Sequence, residues 1–428
     1  MATDVEVQFF SHLNGLTLGN NWGDLIRLLD KALVTGLDFT QITAASIDAQ
    51  GDVHISLYAA HNAMLFQVVE LSGFTPTSLN QKYRIKGVPN TTQLILKPAL
   101  DIAERSITAI GAGKLASLGY DIIFRDTGDV KRVYRAKNPT AQHPFIRVDE
   151  SLTSLDGTTG VYTSTYAKSA MVGLLEHMEH IDDYQNPNVL QLPFDPADPA
   201  KNWKITGTGS QVIRGWSKWY WARSESIYRS AADNIAPTTG SRKFTICGDL
   251  DAFYFLRNLT PSDNNKFLSG CGLFDSVSDI NSPVKNWFLM ASVAQTQASS
   301  AIDYTLVEGG LPLCGATIAS MLHTTKFNEG APISSSDKAS PILPDYRTGY
   351  SALYESTNCA ALAIPFFDTS KYLRGNLKHV YYAGNNKNLM TSTPMLSGSS
   401  MYAWDCALVT ISGGDVTGGV YFYLGELE

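Results

Sequence analysis

The chain has 428 residues and a formal net charge of −7, enough length for roughly two to four domains with real cores. Hydrophobic residues make up 44 %, while charged residues reach only 17 % against a usual share of about 25 %. That excludes a disordered or collagen-like chain, and the acidic balance offers no clustered basic footprint for a nucleic-acid backbone. Low charge with 11 % aromatics suits a protein that hides much of its surface in permanent contacts, because interface cores are depleted in charge and rich in rings.

The start carries Asp4 and Glu6 where a signal peptide would be basic, so no secretion signal is expected. The longest apolar runs, such as residues 360–367, fall far short of the roughly 20 residues that cross a bilayer. A soluble chain made in a cytoplasm, with no membrane partner, is expected. All five cysteines (Cys247, Cys271, Cys314, Cys359 and Cys406) lie in the C-terminal half, odd in number and without a C-x-x-C pair, and read as reduced, mostly buried thiols.

In chain order, Trp22, Leu25, Ile26, Leu29, Ala32 and Leu33 recur at three- and four-residue spacing after the Asn caps at Asn20-Asn21 and before a Gly stop at Gly36. The spacing predicts an amphipathic helix over residues 20–36, its apolar stripe docking on its own chain in preference to a neighbour. Alternation at Val53, Ile55 and Leu57, then runs over 64–71, 83–88 and 93–96 separated by Ser72-Gly73 and Pro89-Asn90, predict a small all-β module over 41–98. Two runs, Tyr134-Arg135 leading to 145–149 and Trp216 to Arg229 leading to 242–246, share an order of aromatic, Tyr-Arg, strand and Asp, as two similar β units would.

Met171, Leu174, Leu175 and Met178 give helical spacing over 167–182, and the Pro- and Asp-rich stretch 191–201 reads as an extended loop. From Phe244 onward strand-like runs dominate, at 252–256, 287–293, 379–383, 401–411 and 420–424, with one short helix near 316–322. The expected fold is α+β and β-dominated, with several small sandwich- or barrel-like modules and an N-terminal amphipathic helix. Its expected divisions are 1–40, 41–98, 99–258 and 259–428.

Searches for chemistry in the sequence return little. Gly111-Ala112-Gly113-Lys114 lacks the first glycine of a phosphate loop and has Leu115 where Ser or Thr would meet magnesium; it also lacks a βαβ frame, so a turn between strands is the better reading. His177 and His180 would share a helix face with Glu176 and Glu179, but match no zinc-protease order and would need a distant third ligand from His143, His323 or His379. No G-x-S-x-G elbow exists, and Ser397 to Ser400 reads as a turn. Acid pairs from Asp182-Asp183, Asp195, Asp198 or Asp249 and Asp251 carry no more catalytic signal than any acidic protein offers. No catalytic residue, metal ligand or cofactor is therefore assigned. The most unusual local feature is the cluster Trp216, Trp219, Tyr220, Trp221 and Tyr228, where strand alternation would bury some rings and expose others.

The stretch Gly15-Leu16-Thr17-Leu18-Gly19-Asn20-Asn21-Trp22-Gly23-Asp24-Leu25-Ile26-Arg27-Leu28-Leu29-Asp30-Lys31-Ala32-Leu33-Val34-Thr35-Gly36 resembles the opening of a group of tailed-bacteriophage virion structural proteins. The resemblance continues in pieces to about residue 256, through Val133-Tyr134-Arg135, residues 145–149, Trp216-Ser217-Lys218, Tyr228-Arg229 and residues 242–249. Around 176–183 the chain is more helical in pattern than that group, and its C-terminal third carries no such likeness. What the resemblance implies is a non-enzymatic component of the tail, baseplate or neck, located in the virion after synthesis in the host bacterial cytoplasm. Its partners would be itself, as a trimer or hexamer, and other virion proteins. A capsid decoration or head spike is the first alternative, and an adhesin holding a host glycan on the Trp cluster the second. Trp22, Leu25, Leu29, Trp216, Trp219 and Trp221 are the candidate interface residues.

Overall fold

The computed structural model describes residues 3–224, 233–262, 266–277, 284–293, 322–326, 336–341, 361–383, 392–411 and 414–427. Strand accounts for 46 % and helix for 7 %, so the expected β-dominated class with an N-terminal helix holds. Among the described residues all strand pairs are antiparallel, and they form three large sheets.

The N-terminal sheet runs Leu37–Asp38, Ala112–Leu115, Val68–Ser72, Lys82–Asn90, Gln93–Pro98, Val53–Leu57 and Ile42–Ile47. It takes in the run 41–98 and adds a strand on each side in sequence. One of these, Ala112–Leu115, corrects the expected turn at Gly111 to Gly113: a Cβ on Gly113 would come within 2.9 Å of the Leu71 side chain, so glycine serves close packing there.

The central sheet runs Ser292–Val293, Ser217–Ala222, Lys168–Leu175, Phe145–Asp149, Lys131–Ala136 and Tyr120–Arg125, with Gln191–Leu192 also on Lys168–Leu175. The helix expected over 167–182 is thus a strand, buried at every residue from Lys168 to Leu175. Tertiary pairing overrides the 3.6-residue spacing because the segment is flanked by Phe145–Asp149 and Ser217–Ala222. Gly173 sits where a Cβ would meet the Trp203 ring at 2.7 Å. His177, Glu179 and His180 follow in irregular chain, not on a helix face.

The long sheet begins with Gln8–Ser11 from the N-terminal arm and continues through Phe244–Gly248, Ala252–Arg257, Phe267–Leu273, Trp287–Met290, Leu322–Thr325, Ser336–Pro341, Leu362–Asp368, Leu373–Tyr382, Gly414–Glu426, Ser400–Ile411 and Thr393–Ser397. Strands before the expected boundary at 258 therefore belong with those after it. The sheet curls into a half-barrel. The arm before its first strand is tied to Gly414–Glu426 by the buried Arg84, which donates to the carbonyls of Asp4, Val7, Phe66 and Leu424, and by the Asp4 N–H donating to Glu426 O at 3.1 Å. Binding a guanidinium to four carbonyls keeps a buried cation hydrogen-bonded where no carboxylate is needed.

The helix is shorter than its apolar pattern. An α-helical turn set at Asp24–Leu29 passes into a π-helical stretch at Asp30–Thr35 and ends at Gly36, φ 71°. Leu25, Ile26, Leu29, Ala32 and Leu33 are fully buried in a core shared with all three sheets, so the stripe docks on its own chain. Its cap differs from the expected Asn: Gly23 is the N-cap, and the buried Glu150 carboxylate accepts the Gly23 and Ile26 N–H groups from the end of Phe145–Asp149. The short helix expected near 316–322 lies outside the described residues except Leu322, which begins a strand.

Candidate interaction surface

In the half of the long sheet formed by Leu373–Tyr382, Gly414–Glu426 and Ser400–Ile411, residues 380–382, 402–404 and 421–424 send successive side chains to two faces. Val380, Phe422 and Ala403 point into the core enclosed by the curl. Their neighbours in sequence point outward: Tyr381 pairs with Tyr421, which pairs with Trp404, and Tyr423 pairs with Tyr402, which pairs with Met395 of Thr393–Ser397. Ring centroids lie 5.4 Å apart for Tyr402 and Tyr423, 5.7 Å for Trp404 and Tyr421, 5.8 Å for Tyr402 and Tyr421, and 6.2 Å for Tyr381 and Tyr423. Tyr421 and Trp404 are buried beneath, while Tyr381, Tyr402 and Tyr423 remain half-buried.

Polar atoms at the border of this face are engaged. The Tyr423 hydroxyl donates to Glu426 Oε1 at 2.6 Å, and the Ser399 and Ser400 hydroxyls donate to the same carboxylate. These three donors lower the Glu426 pKa, and burial followed by that carboxylate raises the Tyr423 phenol, which stays a neutral donor. The arrangement supplies stiff, amphipathic contact area with little rotamer entropy to lose, the property that makes tyrosine a good contact residue. The adjoining edge strand Thr393–Ser397 is blunted as a template because Pro394 brings no N–H.

The six residues expected at an interface are instead placed largely inside. Leu25, Leu29, Trp219 and Trp221 are fully buried by their own chain and show no surface to a partner. Trp22 stands edge-on to Trp221 at 5.6 Å and Tyr162 at 5.9 Å, donates to Ser164 O, and is flanked by Lys168 and Arg214. Trp219 donates its indole N–H to Met290 O at 2.9 Å. Trp216 is half-buried with Lys201 Nζ 4.7 Å from its ring centroid. The helix and the Trp cluster are thus brought together, but as one core. The expected alternation fails because Ser217–Ala222 is covered on both faces, and Tyr228 lies outside the described residues.

Many of the titratable groups considered from sequence are held in ion pairs that brace the fold. His143 Nε2 donates to Asp251 at 2.8 Å, its tautomer set by the Thr140 N–H on Nδ1, and Lys378 meets the other Asp251 oxygen at 2.6 Å. His379 lies 2.9 Å from Asp249, Asp182 is paired with Lys131 and Arg147, and Asp195 and Asp198 with Lys201 and Lys204. With Lys285 donating to Ala141 O and Trp287 to Gln142 O, the His143 pair pins the loop after Lys131–Ala136 onto the long sheet. His177 is exposed beside Glu179, and among the described residues no three His, Cys, Asp or Glu side chains converge on a metal position. Cys247 and Cys271 are free and buried, and burial raises both thiols; Cys314 and Cys359 lie outside the described residues, as does the Cys406 side chain. No helix among the described residues is long and apolar enough to cross a membrane.

No protein-family model matches this chain, and no curated protein matches it in sequence.

Proposed function

We propose that this chain is a non-enzymatic structural subunit of a tailed-bacteriophage virion, assembled as a symmetric trimer or hexamer in the tail, baseplate or neck. The observation that carries the assembly part is the outer face of Tyr381, Tyr402 and Tyr423 over Tyr421 and Trp404, an uncharged aromatic surface of the composition found in interface cores. The resemblance of residues 15–256 to virion structural proteins supports the phage part. Closed symmetry lets one such face be reused around a ring, with a second copy of the chain as its occupant.

A capsid decoration would use the same surface at far higher copy number. The glycan-adhesin alternative loses its platform at Trp219 and Trp221, which are enclosed. Quantitative mass spectrometry of purified particles tests the reading: about 3, 6 or 12 copies per particle fit a position on the tail axis. Hundreds of copies favour the decoration, and absence from particles overturns the virion reading.

A further inference from the structure

We propose that Lys266 and Asp405 condense into an intramolecular amide, an isopeptide cross-link that closes the curled sheet covalently. Lys266 immediately precedes the strand Phe267–Leu273, and Asp405 lies in Ser400–Ile411. These strands are not hydrogen-bonded neighbours; they belong to opposite halves of the long sheet, and the curl brings together residues 139 positions apart. Lys266 Nζ lies 2.5 Å from Asp405 Oδ1, with the two side chains 1 % and 0 % exposed.

The other carboxylate oxygen has donors of its own. Asp405 Oδ2 accepts the Thr245 hydroxyl at 2.6 Å and the Ser392 N–H at 3.2 Å, and the Ser392 hydroxyl is hydrogen-bonded to Thr245 Oγ1. One oxygen thus faces the nucleophile while its twin sits between two donors, the layout that stabilises a tetrahedral oxyanion. In the step a proton first passes from the ammonium to Oδ1 across this contact, which is closed to solvent, leaving an amine and a carboxylic acid.

The step then balances without any co-reactant. The amine lone pair attacks the Asp405 carboxyl carbon and forms the C–N bond, while Oδ2 takes up the negative charge between Thr245 and Ser392. A second proton passes from nitrogen to Oδ1, the carbon–Oδ1 bond breaks, and water leaves as the Oδ2 carbonyl re-forms. Fixed positioning of the two groups replaces a bimolecular encounter. An ammonium and a carboxylate become an amide and one water, with no change of oxidation state.

The test is the intact mass of the purified full-length chain after denaturation, followed by tryptic mapping. The expected result is a chain lighter by one water, with no cleavage at Lys266 and one branched peptide joining the segments that contain residues 266 and 405. Lys266→Met, which keeps much of the volume but has no nucleophile, and Asp405→Ala should each restore the full mass. The wild-type branched peptide decides the matter even where a variant does not fold. A wild-type chain of full sequence mass cleaved at Lys266, or a loss of water mapped to other residues, would overturn the cross-link.

Discussion

The two halves of the long sheet use the same antiparallel pairing for different ends. In the first half, Phe244–Gly248, Ala252–Arg257, Phe267–Leu273 and Trp287–Met290 are buried at every residue. Phe253 and Phe255 enter the core shared with the helix and the other sheets, while Tyr254 and Leu256 enter the core inside the curl. In the second half, Leu362–Asp368 and Leu373–Tyr382 alternate between buried and half-exposed, and the outward positions of the last strands carry tyrosines. A strand covered on both sides reads as a continuous apolar run, whereas a strand with one free face keeps its period of two. One half of the sheet holds the molecule together, and the other leaves tyrosine rings half-exposed.

The largest effect that could break this comparison is expected in the doubly covered half and its partner sheet. Trp219→Ala removes a fully buried ring that touches Phe253 at 5.7 Å between centroids, and should cost about 3–5 kcal/mol in denaturant unfolding. A loss below about 1 kcal/mol would mean that the Trp cluster is not core. Arg84→Met leaves four buried carbonyls without their donor and should cost about 3 kcal/mol, read as a lowered urea midpoint.

A pH dependence sharpens the same side. Burial raises the Glu150 carboxyl to about 7, against the pull of the Gly23 and Ile26 N–H groups and of Arg214. A folded pKa above the ordinary value of 4.5 gives stability that is complete below 4.5 and is lost as pH rises through about 7. The loss is on the order of 3 kcal/mol. Urea midpoints should fall across that window in the wild type and stay flatter in Glu150→Gln, whose amide oxygen still accepts from the helix; an equal slope in both would exclude Glu150 as the source. The smallest stability change, under about 1 kcal/mol, belongs to the outer face: Tyr402→Ser with Tyr423→Ser removes half-exposed rings while leaving Phe422 and Ala403 in the core.

Much of this architecture is legible from residue pattern. The strands Phe145–Asp149, Val53–Leu57 and Trp287–Met290 and the apolar stripe of the helix follow from alternation, apolar runs and spacing alone. The segment Lys168–Leu175 was not legible as a strand, because Met171, Leu174 and Leu175 match a helical period and only its two neighbours in the sheet impose the extended form. The Glu150 cap escaped because its acceptor comes from 124 residues away, not from the adjacent Asn20 or Asn21. For the proposed contact face, the dense Trp216 to Trp221 run drew attention, yet density of rings marked the core. Tyr381, Tyr402, Tyr421 and Tyr423 are spread over three strands and become one surface only through register, although their alternation with Val380, Ala403, Phe422 and Leu424 was a usable signal.

The most direct measurement of the central claim is sedimentation of the purified full-length chain beside the Tyr402→Ser, Tyr423→Ser variant. The account expects a wild-type trimer or hexamer, and a variant that dissociates to monomer with an unfolding midpoint close to that of wild type. A wild-type chain that stays monomeric at every concentration, or an oligomer indifferent to both substitutions, would contradict it.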